Sequence, residues 1–298
     1  MPAIQIAHSI VAGHQPILQL PGQIGINEAD GLLYARDASG NATPLYFGAP
    51  GAIYGLVTSN NGGAPTTSID IAAGVASADA SPYTMINLAS TLTKNVAVNW
   101  VVGNNQGGLD TGAVGNGTYH LFLIRRPDTG VVDALFSLSP TSPSMPANYT
   151  QRRRIGSIGR TGGANIAYTQ YGNEFLVKNP PLDVNAVTVP SGDTTVTLSV
   201  PTGIHVWAIF NFRLDSTPGN SNTMAAYALD IGVQSGNAWW SGGGLDVTFN
   251  TQGGSLLVQT RTNTSAQIGV VGSPGASPGK YTIATFGWLD ARGQYGAP

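Results

Sequence analysis

Cysteine is absent from the 298 residues, which excludes a disulfide framework and any cysteine-based zinc site. Charge is nearly as scarce. Asp, Glu, Lys and Arg make up 9% of the chain, against roughly a quarter in an average domain. The net charge of -2 supplies no long-range field for nucleic acid or an anionic membrane, so neither is expected as a partner. No apolar run approaches the roughly 18 residues of a membrane-spanning helix, so no membrane insertion is expected. The opening Met1–Ile6 (MPAIQI) lacks the basic start and long apolar stretch of a secretory signal. Lys and Glu, the strong helix formers among polar residues, are almost missing, and no stretch carries a convincing 3.6-residue apolar period.

What remains is a strand-forming vocabulary. Hydrophobic residues reach 42%, and 40 glycines with 19 prolines approach a fifth of the chain without a collagen period. Thr, Val, Ile and Tyr fill the rest, and the surface must be built from Ser, Thr, Asn, Gln and Gly, so the expected class is all-β. The length leaves room for about two domains.

Turn chemistry divides the chain. Gln23–Asn27, Leu32–Arg36 and Ala42–Leu45 read as three short strands separated by Ala29-Asp-Gly31 and Ala38-Ser-Gly-Asn41. Residues 1–50 hold too little apolar content to bury a core alone and need a partner surface, most simply the same segment of sister chains. Tyr46 to Ser68 reads as linker. Residues 51–183 then form a middle domain, and Lys178–Asp183 (KNPPLD) marks a boundary before a C-terminal domain over 184–298. The expected architecture is a short N-terminal β meander followed by two antiparallel β-sandwich or jelly-roll-like domains. Val96, Val98, Trp100 and Val102 alternate as one face of a half-buried strand. Thr118–Arg126 and Val131–Ser137, joined by Pro127-Asp-Thr-Gly130, form a β-hairpin. Asn104–Gly112 and Gly115–Gly117 are a glycine-rich loop feeding it.

Candidate chemistry is sparse. Glu28 and Glu174 are the only glutamates, and they lie in separate segments, whereas a glycosidase needs two carboxylates about 5 to 10 Å apart. Asp110, Asp128 and Asp133 are read as turn residues bonding backbone. His8, His14, His120 and His205 have no zinc spacing, and no metal or cofactor is expected. Arg152–Arg154 with Arg160 is a basic cluster suited to acidic sugars or phosphate. Strand alternation offers the plainer reading, with Arg153 facing away from its two neighbours. Trp239 and Trp240 beside Asn237 make the best sugar-binding candidate, since a sugar's CH groups stack on an indole while amides bond its hydroxyls. Equally, both can be packing residues, one in the core and one at a subunit contact.

The wording NQGGLDTG, GTYH, RRPDTGVVDALFS, MPANYTQRRRIGSI and PPLDV, spread over about Ile69–Val184, resembles a module of tailed-bacteriophage fibre and other virion proteins. The N-terminal pattern GxxxxNxADGxLYxRD is similar to the meander near the attachment end of phage fibres and spikes. The resemblance implies a non-enzymatic virion protein made in the host cytoplasm. It would be a homotrimeric tail fibre or spike subunit that joins other virion proteins through its N-terminal segment and binds a host-surface glycan. A capsid-decoration or baseplate protein is the alternative, and a capsule depolymerase a more distant one.

Overall fold

The computed structural model describes the chain except residues 1–5, 12–13, 21–22, 30–31, 37–38, 46–47, 81–82, 217–219, 221, 232–244, 250–252 and 295–298. Among the described residues the protein is all-β, with a single 3-10 turn, Leu229–Ile231, as its helical element. The hairpin forms where the turn chemistry places it. Gly117–Arg125 pairs antiparallel with Val132–Ser137, and Gly130 takes φ 74° so that its N–H reaches Arg126 O at 2.9 Å. Both faces of this hairpin are covered. Tyr119, Leu121 and Leu123 join the main core, while Phe122, Ile124 and Leu135 pack with Tyr149 in a second cluster against Trp100. That double burial explains why the strand reads as a continuous apolar run.

The hairpin is the centre of an eight-stranded sheet that runs from Ala164–Asn165 at one edge to Thr58–Asn60 at the other. The sheet curls towards closure: Asn165 N–H donates to Thr66 O at 2.8 Å, and Arg160 donates to the same carbonyl at 2.9 Å. The glycine-rich segment expected as loop contributes a strand of its own, Gln106–Leu109, lying parallel to both Leu92–Asn99 and Val132–Ser137. Glycine is required there by close approach, since a Cβ on Gly107 would sit 2.0 Å from Asn99 O. The expected linker likewise holds strands at Ile53–Gly55 and Thr58–Asn60.

Beyond the barrel-like sheet, a six-stranded and a four-stranded sheet face each other as a sandwich. Phe210, Phe212 and Leu214 of Trp207–Asp215 meet Met224, Ile268 and Val270 across it. The expected boundary at Lys178–Asp183 lies inside this arrangement. Glu174–Val177 before it and Leu182–Thr188 after it both pair with one strand, Lys280–Leu289. Phe175 stacks on Trp288 at 5.4 Å with ring planes 4° apart. Residues on the two sides of the boundary therefore share one sheet and one continuous core.

The N-terminal sheet is built differently. Its four strands pair only with one another, and Ala7–Ser9 runs parallel to Ile24–Asn27. Among the described residues of this N-terminal segment, Leu18 and Tyr34 are the buried hydrophobics, while Ile6, Ile10, Val11, Ile17, Leu20 and Ile24 are exposed.

Candidate functional site

Gln151–Thr161 is the strand next to the edge of the barrel-like sheet, and it carries three consecutive arginines. Strand alternation predicts one face for Arg153 and the opposite face for Arg152 and Arg154. The pairing keeps that alternation: Arg152, Arg153 and Arg154 stand in register opposite Ile124, Leu123 and Phe122. Both faces are covered, so Arg153 and Arg154 are buried and Arg152 is half-buried. A bulge follows at once, with Gly156 opposite Leu121 and Ile155 unpaired. Other segments cover the strand where the arginines emerge, and these three side chains help line a cleft of about 740 Å³.

The cleft has a rigid charged frame. Arg154 forms a two-pronged ion pair with Asp290, Nη1 to Oδ2 at 2.6 Å and Nη2 to Oδ1 at 2.7 Å, with both partners buried. Burial alone raises the Asp290 carboxyl, but the Arg154 guanidinium and the Arg292 N–H outweigh it and hold the group below its ordinary value. Arg154 Nη1 also donates to Ser157 Oγ at 3.3 Å, and Ser157 Oγ lies 2.9 Å from His120 Nδ1. Burial, reinforced by the Arg154 charge, lowers His120 from 6.5 to about 4, so the imidazole is neutral at pH 7. Asp290 and Arg292 belong to the C-terminal segment, which Arg292 Nε ties down by donating to Asn173 Oδ1 at 3.0 Å.

Arg153 and Arg152 are held more loosely. Arg153 Nη2 donates to Gly51 O at 3.2 Å, and its Nη1 lies 3.7 Å from Asp79 Oδ1. Arg152 Nη2 donates to Thr141 O at 2.8 Å. The Nε atoms of Arg152, Arg153 and Arg154 are buried and meet no acceptor, as is Nη1 of Arg292. Arg160, grouped with these arginines by sequence, is separate: it bonds Thr66 O, Asn165 Oδ1 and Gly163 O where the sheet ends meet.

Sequence reasoning missed a second buried charge pair. Lys94 and Asp133 lie 3.1 Å apart with both side chains almost wholly buried. Lys94 Nζ also donates to Val101 O at 2.7 Å and Gly103 O at 3.2 Å. Asp133 accepts from Gly103 N at 2.8 Å and Ala134 N at 2.6 Å. Asp133 is thus a strand residue that anchors a loop from a distance, not a turn residue. Lys94, Leu92 and Val96 form the buried face of their strand, while Val98, near its end, and Val102, beyond its last residue Asn99, are exposed. Burial pushes Lys94 down and Asp133 up from their ordinary values, and each partner's charge opposes the shift.

The remaining candidates are dispersed. Asp128 is paired with Arg126 at 2.6 Å, and Asp110 accepts from Ser144 N at 2.9 Å. His205 Nδ1 lies 2.8 Å from Thr262 O, and His8 lies 3.2 Å from Glu28. Among the described residues no three His, Asp or Glu side chains gather as metal ligands, and no helix is long and apolar enough to cross a membrane. Asn237, Trp239 and Trp240 lie outside the described residues.

No family model matches the chain, and no curated protein matches it. Among solved structures, an isomalto-dextranase of Arthrobacter globiformis T6 complexed with panose aligns at 13% identity and a TM-score of 0.19. That alignment covers 78% of this chain and 36% of the dextranase, so the chain spans about a third of that protein's length. The VP2 subviral particle of infectious bursal disease virus aligns at 12% identity and a TM-score of 0.21, covering 93% of this chain and 68% of VP2. Likenesses at that level carry no argument about fold or activity.

Proposed function

We propose that this chain is a non-enzymatic virion subunit of a tailed phage, a fibre or spike protein that attaches to host-surface carbohydrate as a homotrimer. The observation that carries this reading is the contrast between the two ends of the molecule. The N-terminal segment leaves six branched apolar side chains exposed, Ile24 in its sheet and five outside its strands, whereas the remainder buries a continuous core. A segment with these exposed apolar side chains, and with Leu18 and Tyr34 as the buried hydrophobics among its described residues, is suited to packing against sister chains and neighbouring virion proteins. The cored remainder is suited to presenting a rigid surface. The phage-type motifs between Ile69 and Val184 supply the class of particle. Trimerisation lets three weak glycan sites act together, raising avidity by about 10² to 10⁴.

A depolymerase would need two carboxylates free to act on one glycosidic bond. Around the cleft, Asp290 is bound to Arg154 and Asp79 lies against Arg153. Asp183, elsewhere, accepts from Ser199 and Thr285. These commitments favour binding over hydrolysis.

Sedimentation equilibrium on the full chain tests the assembly: a trimer is expected, and a monomer at micromolar concentration overturns it. Competition tests attachment. The purified protein should block adsorption of the phage that carries it, and failure to bind the host cells contradicts the reading.

A further inference from the structure

We propose that the cleft lined by Arg152, Arg153 and Arg154 binds an anionic saccharide, with the acidic group of one sugar held between the guanidinium groups of Arg152 and Arg153. The saccharide rests on the attachment reading above. The anion rests on geometry alone.

Four guanidinium groups, those of Arg152, Arg153, Arg154 and Arg292, gather here around two carboxylates, Asp79 and Asp290. The group therefore holds an excess of two positive charges inside a protein whose net charge is -2. Its donors are also under-used. A buried donor without an acceptor costs about 1 to 3 kcal/mol, more when charged. Four of the eight such atoms among the described residues gather in this one cluster. Arg154 is already spent on Asp290. Arg153 has one long carbonyl bond, and its contact with Asp79 lies beyond hydrogen-bond range; Arg152 has one carbonyl bond. These two keep planar donor forks that match a carboxylate or phosphate. Burial holds Arg153 and Arg292 below the usual arginine value, a cost that an added anion relieves.

The walls fit a sugar better than a bare ion. Tyr83, Pro50 and Pro140 offer faces for CH groups, and Ser142, Thr141 and Gln294 offer hydroxyl and amide partners. The volume of about 740 Å³ falls in the range of small-molecule sites. A long polyanion such as nucleic acid is a poor fit, because outside this cleft no basic field extends across the surface.

Isothermal titration calorimetry on the full-length protein separates the sources of the anion. One arm uses trigalacturonate, a second uses glucose 6-phosphate, and a neutral trisaccharide, maltotriose, is the control. At least one acidic ligand is expected to bind at least about tenfold more tightly than maltotriose, with affinity falling as salt rises. Arg152→Gln should weaken that binding by about tenfold or more without moving the melting temperature, and Arg152→Lys should recover only part of it, because an ammonium lacks the fork. Asp79→Asn should tighten binding by removing the competing carboxylate. Equal affinity for maltotriose, an unchanged affinity in Arg152→Gln, or no binding of either acid overturns the proposal. Whole-cell adhesion reads the attachment claim separately. If Arg152→Gln adheres as well as the parent, attachment stands and this inference falls. If the acid binds through Arg152 but the protein does not adhere, the reverse holds.

Discussion

Lys94–Asp133 and the Arg152–Arg154 cleft are both buried charge clusters in the same barrel-like sheet, yet they differ in how completely they are closed. Lys94 Nζ spends its donors on Asp133 and two carbonyls, and Asp133 spends its oxygens on two backbone N–H groups. Nothing is left over for a ligand. This pair pins the loop 101–103 to the strand Val132–Ser137, and its role is conformational. The arginine cluster has a comparable closed part in Arg154–Asp290, but Arg152 and Arg153 help line a cleft while their buried Nε atoms meet no acceptor. Burial of charge alone therefore does not mark a site. Unspent hydrogen-bonding capacity beside a cavity does.

The comparison can be broken at its closed end first. Asp133→Ala strands a buried ammonium, and a loss of about 3 to 5 kcal/mol in urea unfolding is expected. Replacing both partners, Lys94→Met with Asp133→Leu, should recover most of that loss, since two apolar groups leave no charge uncompensated.

Acid attacks the frame behind the cleft. His120 titrates near 6.5 unfolded and about 4 folded, so below pH 6.5 the unfolded chain binds the extra proton. Stability is full at neutral pH and falls as pH drops from 6.5 towards 4, by about 3 kcal/mol at most. Arg154 and Asp290 are the charged groups facing the imidazole, and they act on it in opposite directions. Thermal melts against pH should show the decline, and His120→Gln should flatten it.

Gly107→Ala tests the strand beside Lys94. Its Cβ would meet Asn99 O at 2.0 Å, so a loss of about 1 to 3 kcal/mol is expected. At the open end, Arg152→Gln should change stability by less than about 1 kcal/mol, because Arg152 is half-buried and has no carboxylate partner. A large destabilisation there would make the arginine structural and erase the contrast.

The parts of the fold legible in the sequence were those fixed by local chemistry. Leu32–Arg36, Ala42–Leu45 and the hairpin of Gly117–Arg125 with Val132–Ser137 fall where turn residues and strand-formers place them. Gln267–Ser273 was not legible, because Gly269 and Gly272 dilute its strand character. The structure gives the reason for both glycines: a Cβ would meet the Tyr227 ring at 2.1 Å and Pro190 O at 2.5 Å. The junction at Lys178–Asp183 carries real turn signals, but prolines mark a bend in the chain and not the edge of a sheet. Long-range pairing decided the rest. Period-2 alternation assumes one covered face, whereas the arginine strand is covered on both, by partners as distant in sequence as Asp79 and Asp290. Lys94 drew no reading for the same reason: its counter-charge lies on another strand.

The most direct test is to follow the arginine Nε–H resonances of the full-length protein by nitrogen-15 NMR while trigalacturonate or glucose 6-phosphate is added. The Nε–H signals of Arg152 and Arg153 should move in step with binding, while Lys94 and Trp100 at the closed pair stay still. Binding that leaves both arginine signals unmoved, or shifts centred on Lys94 and Trp100, would contradict the account.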